Sequence, residues 1–172
     1  MKKILCFVLF ATVLSSCGKN AASPGDPAPF QGTMDVNFNG KSYHFTKAWV
    51  IYQSSTGQAG IFGGDAGSSS VGAVTIAYTG TLGSFNFGDY SQGKVDVTAG
   101  GFDNNSTNYY TQYSTCNPTT LQYAAGTLAV SKWGNVGERI EGTFTGSLVD
   151  RSVQCAPRVL AISGSFSAVR AQ

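Results

Sequence analysis

Apolar and polar residues alternate along much of this chain, with the period of two that half-buried β-strands show. The segments 34–38 and 41–45 alternate in this way on either side of Asn39-Gly40. An Asn-Gly pair between two such segments indicates a type I′ turn, because both central residues of that turn have a positive φ. The pattern therefore predicts a β-hairpin near the start of the folded domain.

Similar segments follow at short intervals, and no window shows a sustained apolar period of 3.6 residues. In 139–149 and 158–169, apolar residues and glycines share one face of the strand, and mostly polar residues occupy the other. About ten strands at this spacing predict an all-β domain. We expect an antiparallel β-sandwich, with a closed or partly open, lipocalin-like β-barrel as the alternative. The remaining β-rich segments are 48–53, 60–62, 71–78, 84–87, 94–97, 109–113 and 121–133.

The start of the chain has the organisation of an export signal. A short basic segment precedes the apolar residues 4–14, a stretch shorter than the roughly 20 residues that a helix needs to cross a bilayer. Its last residue, Leu14, begins the segment Leu14-Ser-Ser-Cys17, which resembles the lipobox of bacterial lipoproteins. That resemblance implies cleavage after Ser16, acylation of Cys17 and anchorage in a membrane, with residues 1–16 as the signal peptide.

The next segment, residues 17–32, is rich in Pro, Gly and small polar residues and shows no hydrophobic period. Such a composition is typical of a linker that is extended and polar. We therefore expect the lipidated cysteine and its linker to hold an all-β domain, residues 33–172, near the membrane.

The charge balance narrows the range of partners. Lys2 and Lys3 would leave with the signal peptide, so that nine of the 11 basic residues remain to balance nine acidic ones. A domain without a basic excess has no electrostatic footprint for nucleic acid. No nucleic-acid partner is expected.

Two cysteines remain once the export signal is accounted for. Cys6 would leave with the signal peptide and Cys17 would carry lipid, which leaves Cys116 and Cys155. A lone pair in an exported domain is most simply a disulfide. A two-cysteine metal site is the alternative, but His44 is the one histidine that could assist it. We expect the disulfide, and neither a metal nor a cofactor.

The end of the chain carries a further resemblance. Residues 127–148 contain the strand "EGTFTGSL", and residues 159–170 contain "GSFSAVR". Together they resemble the ending of small β-rich bacterial lipoproteins of the kind common in Bacteroidetes-like genomes. The resemblance implies an all-β fold and a place in the cell envelope, with the outer membrane favoured. It implies no catalytic residues.

Tyrosines are the one suggestive excess among the candidate functional residues. Four of them surround Cys116 in a stretch rich in Asn, Thr and Gln. A tyrosine on such a stretch offers an apolar face and a polar tip, as surfaces that bind glycans or proteins do. We therefore expect a binding surface here, the alternative being that half of these rings pack into the core and the rest lie on the surface without a binding role. The four residues are Tyr109, Tyr110, Tyr113 and Tyr123.

The chemistry expected of the domain is non-catalytic. Only 12% of the residues are charged, and the lone His44, in the predicted hairpin, has no obvious catalytic partner. We expect a structural or partner-binding domain. The alternatives are a glycan-acting hydrolase that uses paired carboxylates, and a barrel that carries a small apolar ligand. The acids considered for such a pair are Asp89, Glu138, Glu141 and Asp150.

Overall fold

The computed structural model describes residues 32–64, 72–89, 92–102, 107–116, 120–152 and 157–171. The all-β prediction is confirmed, because the regular elements within these ranges are β-strands. The strands are β1 (Gly32–Phe38), β2 (Lys41–Gln53), β3 (Gln58–Gly64), β4 (Ala73–Thr79), β5 (Gly83–Asn86), β6 (Asp96–Gly100), β7 (Asn108–Tyr110), β8 (Gln112–Ser114), β9 (Leu121–Tyr123), β10 (Gly126–Lys132), β11 (Arg139–Asp150) and β12 (Arg158–Arg170).

Eight of these strands close into an antiparallel barrel. The wall follows the chain through β1, β2, β3, β4, β6, β7, β11 and β12, and β12 then pairs with β1. β11 and β12 pair over their whole length, from Arg139 opposite Val169 to Asp150 opposite Arg158. No break therefore divides the wall into two sheets. Of the two architectures expected, the closed barrel forms rather than the sandwich.

β11 has two neighbours on the side away from β12. Its first part, up to Gly146, pairs with β10, and its last two residues pair with β7. β10 also pairs with β5, and Phe87, directly after β5, forms a bridge with Val95 beside β6. Between β11 and β6, the wall is therefore formed by two different parts. β10 and β5 lie beside the first part of β11, and β7 lies beside its last two residues. The small β8–β9 ribbon connects these two parts.

The interior of the barrel is occupied by one continuous cluster of buried apolar side chains. β1 illustrates how the cluster forms: Met34, Val36 and Phe38 are buried, whereas Asp35 and Asn37 between them are exposed. Eight strands enclose a space just wide enough for side chains to fill. Removal of these side chains from water is the main favourable term in folding.

Aromatic rings lie over glycines where β11 and β12 pair. Phe144 stands opposite Gly164, and Phe166 stands opposite Gly142. A Cβ on Gly164 would collide with the Phe144 ring and with the carbonyl oxygen of Asp35 on β1. A Cβ on Gly142 would collide in the same way with the Phe166 ring. The alternation of Gly and Phe in both strands is therefore a packing requirement.

The register gathers three turns at one end of the barrel. β3 begins where β2 and β4 end, and β12 ends where β11 begins. The turns 54–57, 80–82 and 133–138 therefore lie at the same end. β1 runs away from this end, from Gly32 to Phe38. We call the end with these three turns the linker end, and the opposite end, with the β1–β2 turn, the far end.

The fit between ring and glycine predicts the effect of one added methyl group. Gly164→Ala should lower the free energy of unfolding by about 1–3 kcal/mol, because the new Cβ meets both a ring and a backbone oxygen. Urea denaturation followed by tryptophan fluorescence measures the change.

Gly64→Ala on β3 is the matched control for this substitution. A Cβ there would lie 3.6 Å from the Cβ of Ala73, an ordinary contact. We expect this variant to stay within about 0.5 kcal/mol of the wild type. Equal losses in the two variants would contradict the role of the Phe144–Gly164 fit.

Candidate functional site

A shallow, open groove with a volume of about 560 Å³ lies on the outer face of β2, β1 and β12. Its outward side chains alternate with core residues along each strand, so the same pleat that fills the interior also builds the groove. The groups that they present are hydroxyls, an amide, a carboxylate and an imidazole. The outward residues are Asp35, Asn37, Ser42, His44, Ser163 and Ser165.

The Asn39-Gly40 turn sets the register of the first two strands. Asn39 and Gly40 have φ values of 50° and 80°, as the predicted type I′ turn requires. Because the turn has two residues, Phe38 pairs with Lys41, and each preceding residue of β1 pairs with the next residue of β2. Asp35 therefore stands opposite His44. The structure thus gives His44 an acidic partner that the sequence analysis missed, although the position of the Asn-Gly turn implied it.

Asp35 and His44 form the polar contact at the centre of the groove. The Asp35 Oδ1 and the His44 Nδ1 are 2.6 Å apart, and both side chains are exposed, by 64% and 59%. A polar contact this exposed adds at most about 1 kcal/mol to stability. Its structural effect is to orient the imidazole, because Asp35 engages Nδ1 and leaves Nε2 as the nitrogen able to meet a ligand.

β12 supplies the third side of the groove. Ser165 lies opposite Asp35, and Ser163 lies opposite Asn37. Gly164 between them has no side chain and forms part of the groove lining. Two rows of polar groups thus cross the three strands, with neighbouring strands about 4.8 Å apart.

The groove contains the residue types of a hydrolytic triad but not its contacts. In the described part of the chain, none of the groove serines forms a hydrogen bond with His44, whose recorded partner is Asp35. A serine nucleophile needs its base within hydrogen-bond reach. The geometry as it stands suits recognition of a polar ligand by donors and acceptors on fixed strands.

The four predicted tyrosines do not share one surface. Tyr109 is buried and packs against Phe38, with ring centroids 4.8 Å apart. Tyr110, the next residue on β7, is half-buried, and the guanidinium of Arg151 lies 4.0 Å from its ring centroid. Strand alternation sends these neighbours to opposite sides of the wall. Tyr113 and Tyr123 are half-buried on the β8–β9 ribbon.

Tyr123 is the tyrosine with an acidic environment. Local desolvation, followed by the negative charges of Asp89 and Asp96, raises the pKa of its hydroxyl. Asp96 also accepts a hydrogen bond from the hydroxyl of the buried Thr111. Asp89, one of the acids considered for catalysis, therefore lies near Tyr123, as does Asp96.

The other acids considered for catalysis have local structural partners. Glu141 pairs with Lys132 at 3.4 Å, and the Glu138 carboxylate accepts a hydrogen bond from the backbone N–H of Asn135 at 2.8 Å. Asp150 accepts a hydrogen bond from the backbone N–H of Ser152, which lowers the pKa of its carboxyl. These contacts belong to turns and strand ends.

The cysteines of the predicted sites are described only in part. Cys116 follows β8 and is disulfide-bonded. Its expected partner, Cys155, and the predicted lipidation site, Cys17, lie outside the described residues. The Cys116–Cys155 pairing therefore stays a prediction.

A cluster of aromatic rings around one cation closes the linker end, and our sequence analysis missed it. Trp133 packs edge-on against Tyr52, with centroids 5.2 Å apart, and against the buried Tyr78 at 6.4 Å. The Arg170 guanidinium lies 4.9 Å from the Tyr52 ring centroid and 5.5 Å from that of Trp133. Because these residues come from β2, β4, β12 and the turn after β10, no local pattern brings them together.

Among the residues that the structure describes, no three His, Cys, Asp or Glu side chains are grouped so that they could hold a metal ion. Nor does any helix in these ranges have the length and apolar character needed to span a bilayer. The chain matches no protein family, no curated protein and no solved structure with which it was compared.

Tyr78 in the aromatic cluster allows a test of core polarity. Its ring is fully buried, and its hydroxyl has no hydrogen-bond partner among the described residues. Tyr78→Phe should raise the free energy of unfolding at pH 7 by up to about 1 kcal/mol, because it removes an unsatisfied buried hydroxyl. Tyr43→Phe is the control: its hydroxyl donates to the Phe102 carbonyl at 3.0 Å, and its loss should cost about 1 kcal/mol.

The same variant should change the response to alkaline pH. Burial, and to a smaller extent Tyr52, raise the pKa of Tyr78 above its usual value of 10.0. The folded state then holds this proton more tightly than the unfolded state, so the stability that it contributes is complete below pH 10 and is lost as the pH rises. The wild type should lose up to about 1.4 kcal/mol per pH unit more than Tyr78→Phe above pH 10. Parallel pH profiles of the two proteins would contradict this assignment.

Proposed function

We propose that this chain is a lipid-anchored protein of the bacterial cell envelope, whose barrel is a non-catalytic domain that binds a glycan in the groove on β2, β1 and β12. The observation that carries the binding function is the groove itself, a set of hydroxyl, amide and imidazole groups on three paired strands. The anchor is supported by the lipobox-like Leu14-Ser-Ser-Cys17.

The barrel interior favours binding on the outer face. One cluster of apolar side chains occupies the inside of the described wall. A carrier of a small apolar ligand needs an empty space of a few hundred Å³ that is lined by such side chains. A polar ligand on the outside of the wall requires no rearrangement of this core.

The chemistry of the groove favours a glycan over a protein partner. Protein interfaces depend on buried aromatic and arginine anchors, whereas the outward groups here are small and polar, around the Asp35–His44 pair. Hydroxyls that donate and accept hydrogen bonds match the hydroxyls of a sugar. Their fixed strand positions reduce the entropy lost on binding.

The proposed location follows from the start and the end of the sequence. Several acyl chains on Cys17 would give a stable anchor, since each buried methylene contributes about 0.8 kcal/mol. The resemblance of residues 127–148 and 159–170 to the ending of small β-rich lipoproteins supports the same location, with the outer membrane favoured. A glycan of the envelope would then lie within reach of the tethered barrel.

The anchor is tested by removal of the acylated thiol. Cys17→Ala should move the protein from the membrane pellet to the soluble fraction and abolish incorporation of labelled palmitate. Cys6→Ala is the matched control, because Cys6 lies in the predicted signal peptide and should not affect the mature protein. Retention of Cys17→Ala in salt-washed membranes would contradict the lipid anchor.

The groove is tested with an array of neutral and acidic oligosaccharides from bacterial envelopes. Replacement of both Ser163 and Ser165 by Val keeps the strand shape and removes two hydroxyls. This variant should bind the glycan selected by the wild type at least about tenfold more weakly, as the loss of one or two hydrogen bonds implies. Thr75→Val on the outer face of β4 is the control and should bind normally. Equal binding by all three proteins would contradict the groove as the site.

A further inference from the structure

Three large apolar side chains are exposed at or near the linker end of the barrel. Leu82 lies in the turn 80–82 and is 57% exposed, and Val136 lies in the turn 133–138 and is 62% exposed. Ile51, on the outer face of β2 two residues before that strand ends, is 43% exposed. Turn tips usually carry polar residues, Gly or Pro. Apolar side chains at two neighbouring turns therefore suggest that this end contacts something apolar.

The aromatic cluster lies at the same end of the barrel as these tips. Trp133 and Tyr52 are half-buried, and Arg170 packs over both rings. Tryptophan, tyrosine and arginine are the side chains found where a protein meets the headgroup region of a bilayer, because each combines an apolar body with a polar tip. At this end, the aliphatic side chains are thus the most exposed, and the amphipathic rings are half-buried.

The charges at the linker end are compatible with a membrane surface. Among the described residues of this end, the basic Lys132, Arg139 and Arg170 are balanced by the acidic Asp96, Glu138 and Glu141. The β2–β3 and β4–β5 turns, 54–57 and 80–82, carry no charge. A surface without net charge is neither attracted nor repelled by the negative surface potential of a bilayer.

The direction of β1 brings the anchor to the same end. Gly32 is the residue of β1 nearest to the linker end, and Cys17 precedes it by 15 positions. An extended segment of this length reaches about 50 Å at most, so the tether permits contact without enforcing it. Tethering raises the effective concentration of this end at the bilayer, so a weak apolar contact is sufficient for docking.

We infer that the linker end docks on the phospholipid surface in which Cys17 is anchored, with Leu82 and Val136 inserted at the headgroup boundary. This inference rests on the proposed lipid anchor. Docking would direct the far end away from the bilayer and hold the groove along the side of an upright barrel. The tips insert as apolar side chains, and the rings of Trp133 and Tyr52 lie at the level of the headgroups.

The chain offers a matched pair of control positions. Leu121 on β9 and Val159 at the start of β12 are 50% and 59% exposed, but lie away from the linker end. Single cysteines are placed at Leu82, Val136, Leu121 or Val159 in the lipidated full chain, and each is labelled with the fluorophore NBD. Cys116 is disulfide-bonded, so it does not compete for the label.

The labelled proteins are reconstituted in vesicles of phosphatidylethanolamine and phosphatidylglycerol that contain spin-labelled lipid. We expect stronger quenching by the lipid label and a bluer emission for Leu82→Cys and Val136→Cys than for Leu121→Cys and Val159→Cys. Equal quenching at the four positions, or stronger quenching at the two controls, would overturn the inference.

Flotation separates failure of the docking from failure of the anchor. Proteins that float with the vesicles but show no difference in quenching would keep the lipid anchor and refute the docking. Proteins that do not float would refute the anchor, and the docking with it. Protection of the Leu82 and Val136 probes from aqueous iodide, without quenching by lipid, would mean that a second copy of the chain covers this end, and would also overturn the inference.

Discussion

The packing of two phenylalanines against two glycines across β11 and β12 is the interaction on which the barrel depends. Phe144 covers Gly164 and Phe166 covers Gly142, so each ring lies where the opposite strand has no side chain. Glycine lets a strand bend closely around the core, and the ring restores the apolar contact that glycine lacks. Since β11 and β12 together contact β1, β2, β7 and β10, a loss of fit here would reach most of the wall.

The same packing determines where a ligand can bind. On the inner side, the rings help to fill the barrel. The stability of the core therefore does not require a ligand inside the barrel. On the outer side, Ser163 and Ser165 point into the groove, while position 164 between them faces the core. Groove and core are therefore the two faces of one set of strands, and the glycines belong to the core face.

Local rules predicted those parts of the fold that depend on neighbours in the chain. The Asn39-Gly40 turn predicted the first hairpin, and its register already implied that Asp35 faces His44. Strand alternation could also have placed Tyr109 and Tyr110 on opposite faces of their strand. The closure of the barrel could not be predicted, because it depends on pairing between β1 and β12 at opposite ends of the domain. The third side of the groove and the aromatic cluster follow from that closure.

The pairing of β1 with β12 has a consequence for the order of folding. The first and last strands of the barrel are neighbours in the wall, so the barrel cannot close until the last residues of the chain are free to join it. For a chain exported as proposed, that moment comes only after the whole domain has left the translocation channel. Domains dominated by such distant contacts fold in milliseconds to seconds rather than microseconds. Until then, the unpaired edge of β1 stays open to pairing with other strands.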